Sequence, residues 1–311
     1  MRTWLVLAAV LAVAAAAVAD AVHGHLGQAS PPRPLRDTPA ARIVPPGAPA
    51  GFMGTVYYSD PDDGCRLKAL QLPGFADAAP PEFRACRFAL SPDGRTVLRA
   101  GAVWSPGGGL AAVPRGAAFE LVSPASSQAI RVTGKEPAFK PDGTLTFLLD
   151  GRLVEWTNRC HTGDRLFTLP GDNATARCVR ILLREPAKSV AWLTDTRFVA
   201  ILADGAFAIF DGRRALIRRP LPRGRSARVE PSPRRTFFTL WLDGELSGGF
   251  DRNGAQIALP PLTDVRALAW SPTERWGVLA TDRGSVYLFR PDTGDARLRR
   301  LDVAGRDLAW R

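Results

Sequence analysis

The sequence predicts an all-β repeat fold, a β-propeller of six four-stranded blades. Three observations predict it: short strand-like runs separated by tight-turn dipeptides, a turn motif that recurs about every 40–50 residues, and a last copy of that motif cut short by the carboxyl end.

The strand-like texture begins near residue 51. Runs rich in β-branched and aromatic residues alternate with turn clusters, as in Gly54-Thr55-Val56-Tyr57-Tyr58, Thr144-Leu145-Thr146-Phe147-Leu148-Leu149 and Ser285-Val286-Tyr287-Leu288-Phe289. The turns include Asp142-Gly143, Asp150-Gly151, Asp204-Gly205, Asp211-Gly212, Asp243-Gly244 and Asn253-Gly254. Asp-Gly and Asn-Gly between apolar runs signal hairpins, because both tolerate the positive φ of tight hairpin turns. No long segment beyond the amino terminus keeps a helical period.

The repeat is a short apolar strand followed by a Ser-Pro-Asp-Gly-like turn. Its copies are Phe88-Ala89-Leu90-Ser91-Pro92-Asp93-Gly94, Pro137-Ala138-Phe139-Lys140-Pro141-Asp142-Gly143, Val190-Ala191-Trp192-Leu193-Thr194-Asp195, Arg228-Val229-Glu230-Pro231-Ser232-Pro233 and Leu268-Ala269-Trp270-Ser271-Pro272-Thr273. The marks fall at 91, 140, 193, 232 and 271, with a sixth due at about 311 after Asp307-Leu308-Ala309-Trp310. Four strands fit the last full unit: Val265–Trp270, Trp276–Thr281, Ser285–Arg290 and Ala296–Asp302. A lone strand at 307–310 is a poor ending unless amino-terminal strands complete its blade. Met53–Ser59 and Cys65–Leu72 are the expected partners, with Ala41–Val44 a weak candidate for the missing one. Such a closure leaves no open sheet edge.

On Ser91-Pro92-Asp93-Gly94, Trp270-Ser271-Pro272 and the period, residues from about 52 to 311 resemble six-bladed propellers of the TolB-like and WD-repeat type. These motifs build the turn after the inner strand, so the resemblance implies a fold and transmits no ligand. Thr194-Asp195-Thr196 and Pro233-Arg234-Arg235 depart from the motif, and the Gly-His and Trp-Asp pairs of intracellular WD repeats are missing.

Residues 1–22 read as a signal peptide or an uncleaved membrane anchor. Arg2 precedes an apolar run from Trp4 to Ala19, and Ala17-Val18-Ala19 is a small-x-small cleavage site. The run is 16 residues long, short of the roughly 20 that span a bilayer. Either reading places the remainder outside the cytoplasm: secreted, periplasmic, or anchored and facing outward. Residues 23–50, rich in proline, read as a disordered linker, and 51–311 as the propeller domain. Cys65, Cys86, Cys160 and Cys178 suit an oxidising compartment. Proximity favours Cys65–Cys86 and Cys160–Cys178; a loop of about 20 residues closed this way stabilises by roughly 3 kcal/mol. No C-x-x-C occurs, which argues against zinc.

The formal net charge is +11, carried almost entirely by arginine. The basic stretch from Arg213 to Arg235 runs through Arg228 and Arg234, and within it Arg213, Arg214, Arg218, Arg219, Arg223 and Arg225 form a dense group suited to an anionic polymer or lipid surface, or alternatively a solvated outer strand and loops. Asp60, Asp62 and Asp63 suggest either a turn or a calcium loop, but the glutamate that closes such a loop is missing. The histidines are His23, His25 and His161 alone. No G-x-S-x-G elbow, P-loop or dinucleotide fingerprint occurs, so no catalytic residue, metal ligand or cofactor is assigned. The stretch 160–178 reads as a stapled insertion carrying the sequon Asn173-Ala174-Thr175.

The leading expectation is an exported, non-enzymatic, monomeric propeller that binds a protein or an anionic envelope polymer. Membrane contact would come through the amino-terminal segment if it is uncleaved, and nucleic acid is not the expected partner. The alternative is a metal-dependent, lactonase-like hydrolase with its site at the central channel, which needs acidic and amide side chains converging on the axis.

Overall fold

The computed structural model describes residues 52–157, 178–291 and 298–311. The predicted leader and linker, His161, Cys160 and the sequon lie outside these residues, as does the candidate strand Ala41–Val44.

Alternating apolar residues and tight turns make the described chain an array of antiparallel meanders. The first sheet holds β1 (Gly54–Asp60), β2 (Arg66–Leu72) and β3 (Ala76–Ala78). The second is only β4 (Phe88–Leu90) and β5 (Val97–Arg99). The third comprises β6 (Val103–Trp104), β7 (Ala111–Arg115), β8 (Ala118–Ser123) and β9 (Ser126–Thr133). The fourth comprises β10 (Lys135–Phe139), β11 (Leu145–Leu149), β12 (Arg152–Trp156) and β13 (Val179–Leu183). The fifth comprises β14 (Ala187–Trp192), β15 (Arg197–Leu202), β16 (Ala206–Asp211) and β17 (Arg214–Pro220). The sixth comprises β18 (Ala227–Pro231), β19 (Phe237–Leu242), β20 (Glu245–Asp251) and β21 (Gln256–Ile257). The seventh comprises β22 (Val265–Trp270), β23 (Gly277–Thr281), β24 (Ser285–Phe289) and β25 (Arg299–Ala304). The last strand, β26 (Leu308–Trp310), returns to the first sheet and pairs with β1, Trp310 opposite Val56 and Leu308 opposite Tyr58. Successive meanders with their first strands around one cavity form the arrangement of a β-propeller.

The marks at 91, 140, 193, 232 and 271 each sit at the turn after a first strand, and four turns share one design. The amides of Ser91, Ser232 and Ser271 donate to the carbonyls of Thr96, Phe237 and Trp276 at 2.8–3.0 Å. The hydroxyls of the same serines accept the return amides at 2.9–3.2 Å. Ser105 makes the same pair of bonds with Leu110. The third residue after the serine has positive φ, whether it is Gly94, Gly108, Arg235 or Glu274. Pro233-Arg234-Arg235, which departs from the motif in sequence, therefore builds the same turn.

Ser105 accounts for a departure from the expected architecture. One four-stranded blade was expected across the interval from Ser91 to Lys140. A further copy, Val103-Trp104-Ser105-Pro106, starts a new first strand before the second sheet has laid down any strand beyond β5. The described residues thus form six four-stranded sheets and one two-stranded sheet. The fourth position of the first sheet is filled by β3, which pairs with β2.

Apolar layers hold neighbouring sheets together. Phe198, Ala200 and Leu202 on one face of β15 pack toward the fourth sheet, while Val199 and Ile201 on the other pack toward the sixth. Residues of the seventh sheet, among them Val278, Val286 and Leu288, pack with Val56, Leu70, Leu308 and Trp310 of the first. Gly277 leaves room for the Phe289 ring, which would lie 2.2 Å from a Cβ there. No helix among the described residues is long and apolar enough to cross a membrane.

Trp310 is 1% exposed, and its indole N–H donates to the Met53 carbonyl at 3.1 Å. Trp310→Ala is expected to cost about 3–5 kcal/mol and Ser271→Ala about 1–3 kcal/mol, read as falls in the urea midpoint. A Trp310→Ala change as small as that of an exposed site would show that the β26–β1 seam carries little of the stability.

Candidate functional site

The first strands of the sheets border one cavity of about 650 Å³, with walls from β4, β6, β10, β14, β18, β22 and β26. Apolar first strands would make this lining neutral, yet eight charged residues reach it: Arg87, Lys135, Arg228, Arg235 and Arg266, with Glu136, Glu230 and Asp307. Lys135, Glu136, Arg228, Glu230 and Arg266 lie on first strands, Arg87 and Asp307 just before them, and Arg235 in the turn after β18.

Asp307 sits where three chain segments meet. Its carboxylate accepts the amides of Phe88 at 2.8 Å and Leu308 at 3.1 Å. Its own amide donates to the Ser59 hydroxyl, and that hydroxyl donates to the Cys86 carbonyl. Burial pushes its pKa up to about 6, against the two amides and Arg87, while the neighbouring Glu230 adds to the rise. Glu230 is half-buried at the cavity wall; desolvation raises its pKa, and Arg228 and Arg87 oppose the rise. Arg228 pairs with Glu230 at 2.5 Å and stacks 4.8 Å from the Trp241 ring centre. Glu136, at positive φ beside an irregularity in the β10–β11 register, has its pKa raised by burial, with Arg228 opposing.

Around the first-strand turns, charged groups bond one sheet to the next. The Arg235 guanidinium donates to the carbonyls of Phe139 at 2.9 Å and Trp192 at 3.1 Å, joining three sheets; burial lowers its pKa, against Asp195 and Asp142. Glu274 accepts from the Arg234 amide at 2.5 Å and from the Thr236 hydroxyl. Arg311 donates to the carbonyls of Ser91 at 2.8 Å and Leu90 at 2.7 Å. Lys140 is buried against Glu155 and the Trp192 ring.

The structure divides the predicted basic stretch. Arg214, Arg218 and Arg219 lie on β17, the outer strand of the fifth sheet, and all six arginines are exposed. Arg218 pairs with Glu185 and Asp204, and Arg225 with Asp243. Arg219 lies over the Phe207 ring, and Arg213 donates to the Ile181 carbonyl at 3.4 Å. Arg214 and Arg223 form no ion pair among the described residues. The acidic cluster is a short 3-10 turn, Pro61–Asp63, capped by Asp60. Lys68 pairs with Asp60 at 2.6 Å and Asp63 at 3.4 Å, so the calcium alternative loses two of its carboxylates to an internal cation. Burial works against the Asp60 carboxylate, but Lys68 and the turn amides outweigh it and hold its pKa below the ordinary value.

A disulfide joins Cys65 and Cys86, tying the start of β2 to the segment before β4. Cys178 is also disulfide-bonded; Cys160 lies outside the described residues. Among the described residues no group of three His, Cys, Asp or Glu side chains is placed to hold a metal ion.

Sequence reasoning missed the cavity residues. Arg228 and Arg235 belong to the basic stretch yet face the axis or clasp the turns, apart from the arginines of β17. The available signal was a charge in or just before four of the apolar first strands: Glu136, Glu230, Arg266 and Asp307.

No family model matches this chain, and no curated protein does. Among solved structures, the Cps50 (Swd1) β-propeller domain of Myceliophteria thermophila is similar at 11% identity and a TM-score of 0.43, over 83% of this chain and 88% of that one. At that identity and score the likeness adds nothing to what the strand pairings show.

Asp307 gives the cavity a pH signature. Its folded pKa of about 6 lies above the ordinary 3.8, so the folded state holds the proton more tightly than the unfolded chain. The associated stability is present below about pH 4 and is lost as pH rises through 6, by about 3 kcal/mol. Asp307→Asn is expected to remove that fall, which is read by comparing urea midpoints of the two proteins between about pH 4 and 7. Parallel curves for the two would exclude a raised pKa at Asp307.

Proposed function

We propose that this chain is an exported binding module: a propeller whose sheets close into a ring through β26 and β1, and which recognises a protein segment or envelope polymer bearing negative charge. One observation carries the reading. The axial cavity has five cationic residues against three acidic ones; Arg228, Arg235 and Arg266 are engaged by Glu230, two backbone carbonyls and Glu245. Asp307 is bonded by two backbone amides and Glu230 by Arg228. Arg87 and Lys135 form no ion pair among the described residues. Burial also raises the pKa of all three carboxyl groups, so the cavity tends toward positive charge. A concave site enclosed by protein focuses such a potential and attracts anions.

The outer strand β17 is a weaker anion surface, because Arg218 and Arg225 are answered by local carboxylates. Export is supported by the Cys65–Cys86 bridge, since disulfides persist in oxidising compartments. A metal-dependent hydrolase at the axis has no converging ligand set among the described residues to favour it.

The test measures binding of fluorescein-labelled polyglutamate and polyphosphate to the full chain in about 50 and about 500 mM NaCl. Binding is expected to weaken with salt and to fall about tenfold, roughly 1.4 kcal/mol, in Arg87→Ser/Lys135→Ser. Arg213→Ser/Arg214→Ser/Arg223→Ser is expected to leave most of it. No binding of either polymer, or binding that ignores the cavity pair, overturns the reading.

A further inference from the structure

The second sheet stops at two strands, and its missing outer half leaves an edge and a groove. β5 pairs with β4 alone. The Ser91 amide donates to the Thr96 carbonyl at 2.8 Å, so Thr96 and, two residues on, Leu98 turn their backbone groups toward β4. By the alternation of an antiparallel ladder, those of Val97 and Arg99 turn outward. The Arg99 carbonyl takes the Ala102 amide at 3.3 Å. The outward amides of Val97 and Arg99 and the Val97 carbonyl meet no strand among the described residues. In the four-stranded sheets this position is occupied by a third strand.

Beside the edge runs a groove of about 350 Å³ floored by Leu98, Trp104, Val113 and Val122, with Arg99 and Arg115 on its walls. Leu98, Trp104 and Val122 are half-buried and both arginines are exposed. Arg115 pairs with Glu120 at 3.0 Å, and Arg99 forms no ion pair among the described residues. An open edge beside an apolar floor is the geometry of strand addition, in which main-chain bonds supply affinity and alternate side chains supply specificity.

We infer that this edge takes a third strand from another protein, an extended segment alternating apolar and acidic side chains. Its main chain bonds to Val97 and Arg99, its apolar residues lie on Leu98, Trp104 and Val122, and its acidic residues meet Arg99 and Arg115. Charge argues for a foreign acidic strand over this chain's own material. A second copy carries +11, and residues 23–50 hold Arg33, Arg36 and Arg42 against Asp37 alone. The groove shares only Trp104 with the lining of the axial cavity, so this inference stands apart from the anionic-partner reading above.

The experiment is hydrogen exchange by mass spectrometry on the full chain, with and without an acetylated, amidated heptapeptide alternating glutamate and valine. Slowed exchange across residues 95–101 is expected. Affinity by fluorescence anisotropy is expected to fall about tenfold, or roughly 1.4 kcal/mol, in Val97→Pro, whose ring removes an outward donor and blocks an approaching strand. Arg99→Glu is expected to weaken binding comparably, and so is a peptide with lysine in place of glutamate. Should Val97→Pro lose native circular dichroism, Arg99→Glu and the lysine peptide decide the matter between them.

Four outcomes overturn the inference. The first is no change in exchange at 95–101, and the second is affinity indifferent to both substitutions. The third is protection present without peptide and released by Ile43→Asp, which identifies the chain's own amino-terminal segment as the occupant. The fourth is protection that grows with protein concentration alongside a dimer in sedimentation, which identifies a second copy.

Discussion

The second strands β11, β15, β19 and β23 are buried on both faces, and a sheet built around such a strand has no inner face to give to water. β15 shows the constraint most directly. It is buried along nearly its whole length, and its alternate side chains enter two different cores. Neither core exists without the sheet on its far side, so stability belongs to the interlayers more than to any blade. The buried turn serines, the Arg235 and Arg311 clasps and the return of β26 to β1 all serve to keep the sheets in contact.

The fold was largely legible for the same reason. A sheet buried on both faces needs short apolar strands and tight turns, and both leave strong local marks. The strand Val265–Trp270 was readable to the residue, and Ser285–Phe289 lost only Arg290 from its predicted end. The third sheet escaped notice because its first strand is only Val103–Trp104 and its glycine-rich turn lies 14 residues after Ser91, inside the expected period. Trp104-Ser105-Pro106 nonetheless repeats Trp270-Ser271-Pro272, and the motif outweighs the spacing.

The cavity was much less legible. Which way Glu230 or Asp307 faces depends on strands far away in sequence, and a charge in an apolar strand reads locally as an irregularity. The basic stretch failed in the opposite direction. Arg213–Arg225 is conspicuous in sequence, yet local carboxylates answer part of it, while Arg228 and Arg235 act at the axis and the turns. Linear charge density and spatial charge density diverge here because strands alternate their faces and successive turns lie at opposite ends of a sheet.

The seam between β26 and β1 also has a consequence in time. β1 is among the first described strands to be made and β26 is the last, so the first sheet waits for its inner strand until every other strand has been synthesised. During that interval Val56, Leu70 and Leu72 lack the cover that Trp310 gives, and the adjoining layer to the seventh sheet is unfinished. The Cys65–Cys86 bridge holds the segment whose Cys86 carbonyl accepts the Ser59 hydroxyl, next to the place where Asp307 docks. Arrival of the last strand and oxidation of the thiols then complete one junction by two independent means.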